Sequence, residues 1–162
     1  MSLRPKTSSS STVTMTQIVL PYQANVAGNM HGGEVMKLMD SAAGVAAARH
    51  CLYNVVTASV TQLSFIEPIF VGDLIICSAE LSYAGRTSME VYVSVQAEDL
   101  SRGTVRQVCE GYFFMVALDR NGKPCEVPPL VIENEAQQGN FEAAQERIAQ
   151  AKNAKKMLRA KK

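Results

Sequence analysis

Residues 33–50 constrain the fold more than any other part of the chain. Apolar side chains recur there at Val35, Leu38, Met39, Ala42, Val45 and Ala46, the three-four spacing of a helix. Met36, Ala43 and Ala47 widen the stripe past half the circumference, so this helix must be enclosed rather than laid on a surface. After a break at Asn54 come four long segments of strand character, at 55–66, 74–83, 88–100 and 104–118. Turn compositions at hairpin length separate them: Glu67-Pro68 with Val71-Gly72-Asp73, then Ala84-Gly85-Arg86, then Ser101-Arg102-Gly103. The third segment alternates most cleanly, with Met89, Val91, Val93, Val95 and Ala97 opposite Ser88, Glu90, Tyr92, Ser94, Gln96 and Glu98, the pattern of a half-buried antiparallel strand. With a short strand at 15–20 ahead of the helix, the order predicts an α+β fold: a five-stranded antiparallel sheet wrapped around one long central helix. Ile76, Phe113 and Met115 are assigned to the other sheet face, which calls for a second layer from a neighbouring copy. The chain is expected to form at least a dimer.

A length of 162 residues fits one domain. Residues 1–14 are polar and Ser-rich and are expected to be disordered; the folded domain is placed at 15–130, and 131–162 as a polar spacer with a basic helical tail. Asn140 is the candidate cap of that helix, with apolar positions at Phe141, Ala144, Ile148, Ala151 and Leu158. Its acids precede its bases, an order that suits the helix dipole, and the tail reads either as a solvated helix or as a partner-binding surface. Sixteen basic residues against fifteen acidic give a net charge of +1, so no broad preference for nucleic acid is expected. No apolar run approaches the length of a membrane span and the N-terminus lacks an apolar signal core, which predicts a cytoplasmic chain. Cys51, Cys77, Cys109 and Cys125 show no metal-ligand spacing and His31 and His50 are the only histidines, so reduced thiols and no metal are expected.

The chemistry-bearing stretch lies where the helix begins. Gly32 and Gly33 bare the first N–H groups of a helix, the positive end of its dipole and a place to polarise a carbonyl; equally, they satisfy a tight turn. Asp40 sits at the margin of the buried face, two turns in. A partly desolvated carboxylate there is a candidate general base toward water, or else a partner of Arg49 or Lys37 on the polar rim. His31 reads as a loop residue bonding backbone or as an acid/base group.

The runs ANVAGNMHGGEVMKLMDSAAGVAAARHC, VVTASVTQLSFIEPIFVGDLI, GRTSMEVYVSVQAEDL and FFMVALDRNGKPCEVPPL together resemble the acyl-coenzyme A thioesterases of the hotdog fold, most closely their cytosolic acyl-CoA hydrolase branch. The resemblance implies hydrolysis of fatty acyl-CoA to fatty acid and CoA, with no cofactor beyond the CoA of the substrate itself. It implies that Asp40 acts as base or nucleophile, and that Asn25 positions water or the carbonyl across a dimer interface from the partner's Asp. It also implies CoA contacts from the strand containing Thr57, Ala58 and Ser59 and from the turn containing Arg86, Thr87 and Ser88, and an assembly of three dimers. With the resemblance in hand, the thioester oxygen is expected at the N–H of Gly32 or Gly33, with Asp40 activating the attacking water. Met36, Met39 and Phe65 line an acyl slot or pack the core. Two other readings share the motifs: a hotdog hydratase or dehydratase pairing His31 with Asp40, and a noncatalytic acyl-CoA sensor.

Overall fold

The computed structural model describes residues 3–161. Its elements are β1 (Lys6–Thr7), β2 (Val13–Ile18), a 3-10 turn (Pro21–Gln23), α1 (Gly32–Cys51), β3 (Asn54–Phe65), β4 (Leu74–Ala84), β5 (Ser88–Asp99), β6 (Thr104–Leu118), β7 (Leu130–Val131) and α2 (Glu135–Ala160). Five strands form one antiparallel sheet in the order β2-β4-β5-β6-β3, wrapped around α1. This is the hotdog architecture expected from the sequence.

The helix is enclosed because its small residues let the sheet approach. Ala42, Ala43, Ala46 and Ala47 are fully buried, along with Met39, against the inward row Met89, Val91, Val93, Val95 and Ala97 of β5. On β6 the inward residues are Cys109, Gly111, Phe113, Met115 and Ala117. Phe113 and Met115 therefore belong to the core, not to the outer face assigned to them above. Gly111 is needed there for space: a Cβ would lie 3.1 Å from Leu63 Cδ1. Burial pushes the Cys77 thiol up to about 12 and the Cys109 thiol to about 11, which suppresses thiolate chemistry in the core.

Residues 3–14 are ordered, contrary to the expectation of a disordered head, and β2 starts at Val13. The physical reason is that the polar side chains have backbone partners. Ser8 Oγ donates to Leu81 O at 2.9 Å and Ser11 Oγ to Ser8 O at 3.2 Å, and both serines are buried. β1 pairs in parallel with β7, Lys6 opposite Leu130. Lys6 Nζ also donates to Arg49 O at 2.5 Å and His50 O at 3.0 Å, placing a cation on the negative end of α1. Buried His50 donates from Nε2 to Pro128 O (2.8 Å), while its Nδ1 has no partner among the described residues. Burial holds its pKa below the ordinary 6.5, with Lys6 adding to that and the Pro128 bond opposing it.

The tail helix begins earlier than expected. Its cap is Asn134, whose side chain accepts from Gln137 N at 2.9 Å, and Asn140 lies inside the helix. α2 is not a solvated appendage over its first half. It crosses the outer face of the sheet, with Phe141 against Tyr83 (ring centroids 5.0 Å apart), Ala144 fully buried, and Arg147 clamped to Glu90. That ion pair is two-pronged, Arg147 Nη2 to Glu90 Oε1 at 2.7 Å and Nε to Oε2 at 3.1 Å, and the guanidinium lies 3.7 Å from the centre of the Tyr112 ring. From Ala151 to Lys161 every residue is exposed. The outer layer expected from a neighbouring copy is thus supplied in part by the chain's own tail.

Candidate active site

The site is built where α1 passes the edge strand β3. Thr57 Oγ1 donates to Asp40 Oδ1 at 2.5 Å and also contacts Met115 Sδ at 3.5 Å. Asp40 lies on the polar side of the helix with Lys37 and Ser41 and is exposed in the single chain, not desolvated as anticipated. Neither Arg49 nor Lys37 pairs with it: Arg49 donates to Thr12 O at 3.0 Å, and the four ion pairs among the described residues do not include Asp40. Thr57 was assigned above to CoA contacts; its position as the hydroxyl that fixes Asp40 came only from the fold. The register that brings it there is set by Thr57 opposite Met115, followed by a bulge before Ser59.

The glycine pair is not there for its backbone angles, since neither Gly32 nor Gly33 has positive φ, unlike Gly28 at 84°. A Cβ on Gly32 would reach the Phe65 ring at 3.4 Å, and one on Gly33 would reach His31 Nδ1 at 3.4 Å. His31 is the N-cap of α1, its Nδ1 accepting from Gly33 N at 3.2 Å. The Gly33 N–H is therefore engaged within the chain, and Gly32 N–H is the free donor among the described residues at the helix start. Asn25 sits in the preceding loop. Its Oδ1 accepts from Ala27 N at 2.9 Å and Asn29 N at 3.2 Å, which fixes the loop and leaves the amide nitrogen directed away from those bonds.

Distance divides these groups. At 1.5 Å of rise per residue, Gly32 stands about 12 Å and His31 about 13 Å along the axis from Asp40. Reacting atoms must come within about 3.5 Å, so one helix cannot offer both its start and its Asp40 to one thioester. The His31–Asp40 pairing required by the hydratase reading is likewise not formed within the chain. Met39 is core, its Sδ 3.5 Å from Cys109 Sγ, whereas Met36 and Phe65 are exposed.

The remaining expected residues gather at the same end of the sheet. Arg86, Thr87 and Ser88 form the β4–β5 turn, held by Gly85 N to Ser88 O at 2.8 Å, Ala117 N to Thr87 O at 3.0 Å and Val127 N to Arg86 O at 2.9 Å. Ser88 lies opposite Val116, which lies opposite Val56, two strand spacings or about 10 Å across the sheet. Ala58 and Ser59 line an outer-face groove of about 330 Å³ whose other wall is α2. Arg147, Lys152 and Lys155 on that wall were read only as parts of a tail. A signal for them existed in Arg147 following Glu146 on a helix with an apolar stripe, but nothing local pointed to Glu90. Among the described residues no three His, Cys, Asp or Glu side chains come together as a metal site, and no helix is long and apolar enough to cross a membrane.

A single helix enclosed by five antiparallel strands, with a carboxylate and a strand threonine joined at its edge, defines a hotdog protein. Residues 27–104 match the thioesterase superfamily. The chain is 37% identical over 150 residues to the cytosolic acyl coenzyme A thioester hydrolase of Rattus norvegicus, covering 91% of this chain and 39% of that protein; it thus spans about two fifths of the length of that relative. It is 36% identical over 146 residues to the uncharacterised acyl-CoA thioester hydrolase YkhA of Bacillus subtilis, covering 90% and 85%. Among solved structures, an apo-hexameric acyl-CoA thioesterase superposes with a TM-score of 0.90 at 33% identity, covering 94% and 97%. The acyl-CoA hydrolase of Staphylococcus aureus, solved with butyryl coenzyme A and coenzyme A, superposes with a TM-score of 0.87 at 32% identity, covering 96% and 94%. Other structures of that hydrolase carry Ala in place of an Asn, an Asp or a Thr, residues 15 and then 17 positions apart in its chain; Asn25, Asp40 and Thr57 have the same separations here. The chain belongs to the thioesterase superfamily, within its acyl-CoA thioester hydrolases.

Proposed function

We propose that this protein hydrolyses fatty acyl-CoA to a fatty acid and coenzyme A. The observation that carries the reading is the Thr57–Asp40 bond at the exposed margin of α1. Asp40 takes a proton from water, which attacks the thioester carbon; the carbonyl becomes a tetrahedral oxyanion, and its collapse expels the CoA thiolate. Thr57 acts as a positioning residue, holding one carboxylate oxygen so that the other faces the water. Gly32 N–H, with Gly33 N–H once His31 turns aside, stabilises the oxyanion.

Because Gly32 and Asp40 of one helix stand about 12 Å apart, each site takes Asn25, His31 and Gly32 from one copy and Asp40 and Thr57 from its partner. A two-fold dimer then holds two equivalent sites. The free edge of β3, 12 residues long and largely exposed, offers the surface on which two copies meet. A trimer of such dimers is the assembly we favour, by analogy with the hexameric relative. A cytoplasmic location follows the cytosolic relative. CoA contacts are assigned to Ala58, Ser59, Arg86, Thr87 and Ser88, of which Arg86 is exposed and suited to a phosphate. No cofactor takes part.

The test is free-thiol release from acyl-CoAs of increasing chain length. Wild type is expected to release thiol and Asp40→Asn to lose about a hundred to ten thousand fold in kcat while keeping its fold and its CoA affinity. Thiol release by Asp40→Asn at the wild-type rate would remove the carboxylate from the chemistry, and a sedimentation profile of monomers with full activity would refute the two-copy site.

A further inference from the structure

We propose that the end of α2 is a strap between copies: past Ala151 it leaves its own sheet and lies on the outer face of the partner, with Leu158 in the groove between the partner's α2 and its β3 and β6. This rests on the two-copy site given above, whose copies meet along β3, and adds a second contact on the face of the sheet opposite to α1.

The helix crosses the strands almost at right angles. Phe141 stacks on Tyr83 of β4, Arg147 grips Glu90 of β5 and covers Tyr112 of β6, and Ala151 and Lys152 line the groove with Ala58 and Ser59 of β3. From β4 to β3 is three strand spacings, about 14 Å, and residues 141 to 151 rise about 15 Å. The helix therefore reaches β3, the end strand of the sheet, at Ala151. It continues to Ala160, a further 13 Å or about that. This overhang is as wide as nearly three more strands at about 4.8 Å each, and in the single chain every residue from Ala151 to Lys161 is exposed.

The stripe turned toward the sheet does not stop at the edge. Phe141, Ala144, Ile148 and Ala151 recur at three-four spacing, and Lys155 and Leu158 come next on the same side. Leu158 is 69% exposed in the single chain, an apolar member of a packing stripe that has outrun its own sheet. Ile148 lines the groove with Phe114 of β6, and from Ile148 to Leu158 the helix rises about 15 Å. Where two copies join along β3, the strands run β6-β3-β3-β6, so the two β6 strands stand three spacings, about 14 Å, apart. Leu158 thus arrives over the partner's β6, where Phe114, Ile148 and Ala151 of that copy line a groove of about 330 Å³. The two-fold axis repeats the contact in reverse, with the two helices antiparallel on one face. The one carboxylate in the groove, Glu90, is held by Arg147, and Lys152 and Lys155 line it with their stems while remaining exposed, which keeps their ammonium groups in water. An apolar side chain is the occupant such a groove fits.

The experiment compares wild type with Leu158→Asp by sedimentation over a dilution series, and follows thiol release on the same dilutions with the acyl-CoA that wild type turns over fastest. Because Leu158 is exposed in the single chain, the variant is expected to keep its far-UV circular dichroism. The step that yields monomers is expected at about a hundredfold higher protein concentration in the variant, since two leucines per dimer lose their burial. Activity should fall over the same range and return when the protein is concentrated. In parallel, Leu158→p-benzoylphenylalanine is irradiated, and the expected product is a covalent dimer whose linked peptide carries Phe114 or residues 58–61. An unchanged dissociation step without covalent dimer, in a protein that hydrolyses acyl-CoA, overturns the strap and leaves hydrolysis standing. Crosslinks to any other surface of a second copy overturn it as well. The expected shift and crosslink in a protein that releases no thiol from any chain length keep the strap and refute the hydrolase reading. Wild type that sediments as a monomer throughout overturns the strap together with the two-copy site.

Discussion

Replacing Arg147 by Met should cost this protein about 3 kcal/mol of stability. Met keeps most of the apolar stem and removes the charge and both donors. Glu90, only 3% exposed, is then left with a single partner, the Ser82 hydroxyl at 2.7 Å. Breaking a buried pair by removing one partner costs about 3–5 kcal/mol; the retained Ser82 bond argues for the lower end, with the lost stacking on Tyr112, about 0.5–1 kcal/mol at a partly exposed site, counted within it. For a chain of this size each kcal/mol moves the melting temperature by about 2–4 °C, so a drop of roughly 6–12 °C is expected. The companion variant E90Q/R147M removes the stranded charge and should recover about half of the loss. Both are read by urea unfolding followed by far-UV circular dichroism at one fixed protein concentration, since assembly contributes to apparent stability. A loss below about 1 kcal/mol for R147M, or a double variant no more stable than the single one, would refute the argument that α2 is held to the sheet by a desolvated ion pair.

Three further outcomes follow from the same structure. Thr57→Val should lower kcat for acyl-CoA by about tenfold, because a hydroxyl bond to a carboxylate is lost at an exposed position; Thr57→Ser should restore it, and no difference between Val and Ser would deny the hydroxyl a role. His50 is held below its ordinary pKa, so the unfolded chain binds a proton that the folded one resists. Its contribution is present above about pH 6.5 and is lost as pH falls below that value; the urea midpoint should drop between about pH 7.5 and pH 5.5, and the drop should be smaller in His50→Gln. Lys6→Met should lose about 1 kcal/mol by uncovering the last carbonyls of α1, and urea unfolding within about 0.3 kcal/mol of wild type would contradict that role.

The sheet and α1 were legible because their patterns are local and high in contrast: β6 falls on the expected residues 104–118, and α1 differs by one residue at each end. The facing of β6 was not legible, because Tyr112, Phe114 and Val116 on its outer side are as apolar as Phe113 and Met115 on its inner side, and a period of two cannot rank two apolar faces. The terminal segments failed for another reason. Ser8 and Lys6 look like solvated polar residues until partners more than 40 positions away satisfy them. Glu90 likewise reads as a solvent-facing residue, and only the return of the chain 57 positions later makes it buried. At the site, the identity of Asp40 and Asn25 rested on the family's motifs, whereas the pairing of Thr57 with Asp40 depends on a strand register that bulges on both sides of Val60 interrupt.

The parallel pairing of β1 with β7 bears on how the chain is made. Lys6 meets Leu130, and β2 meets β4 across residues 13 and 79, so β1 leaves the ribosome with no strand partner until more than 120 further residues have been made. At about 5–20 residues per second that interval lasts roughly 6–25 s. An apolar strand exposed for so long would invite association with other nascent chains. The Ser- and Thr-rich run around β1, whose strand partner comes only with Leu130, is a composition that stays hydrated while it waits.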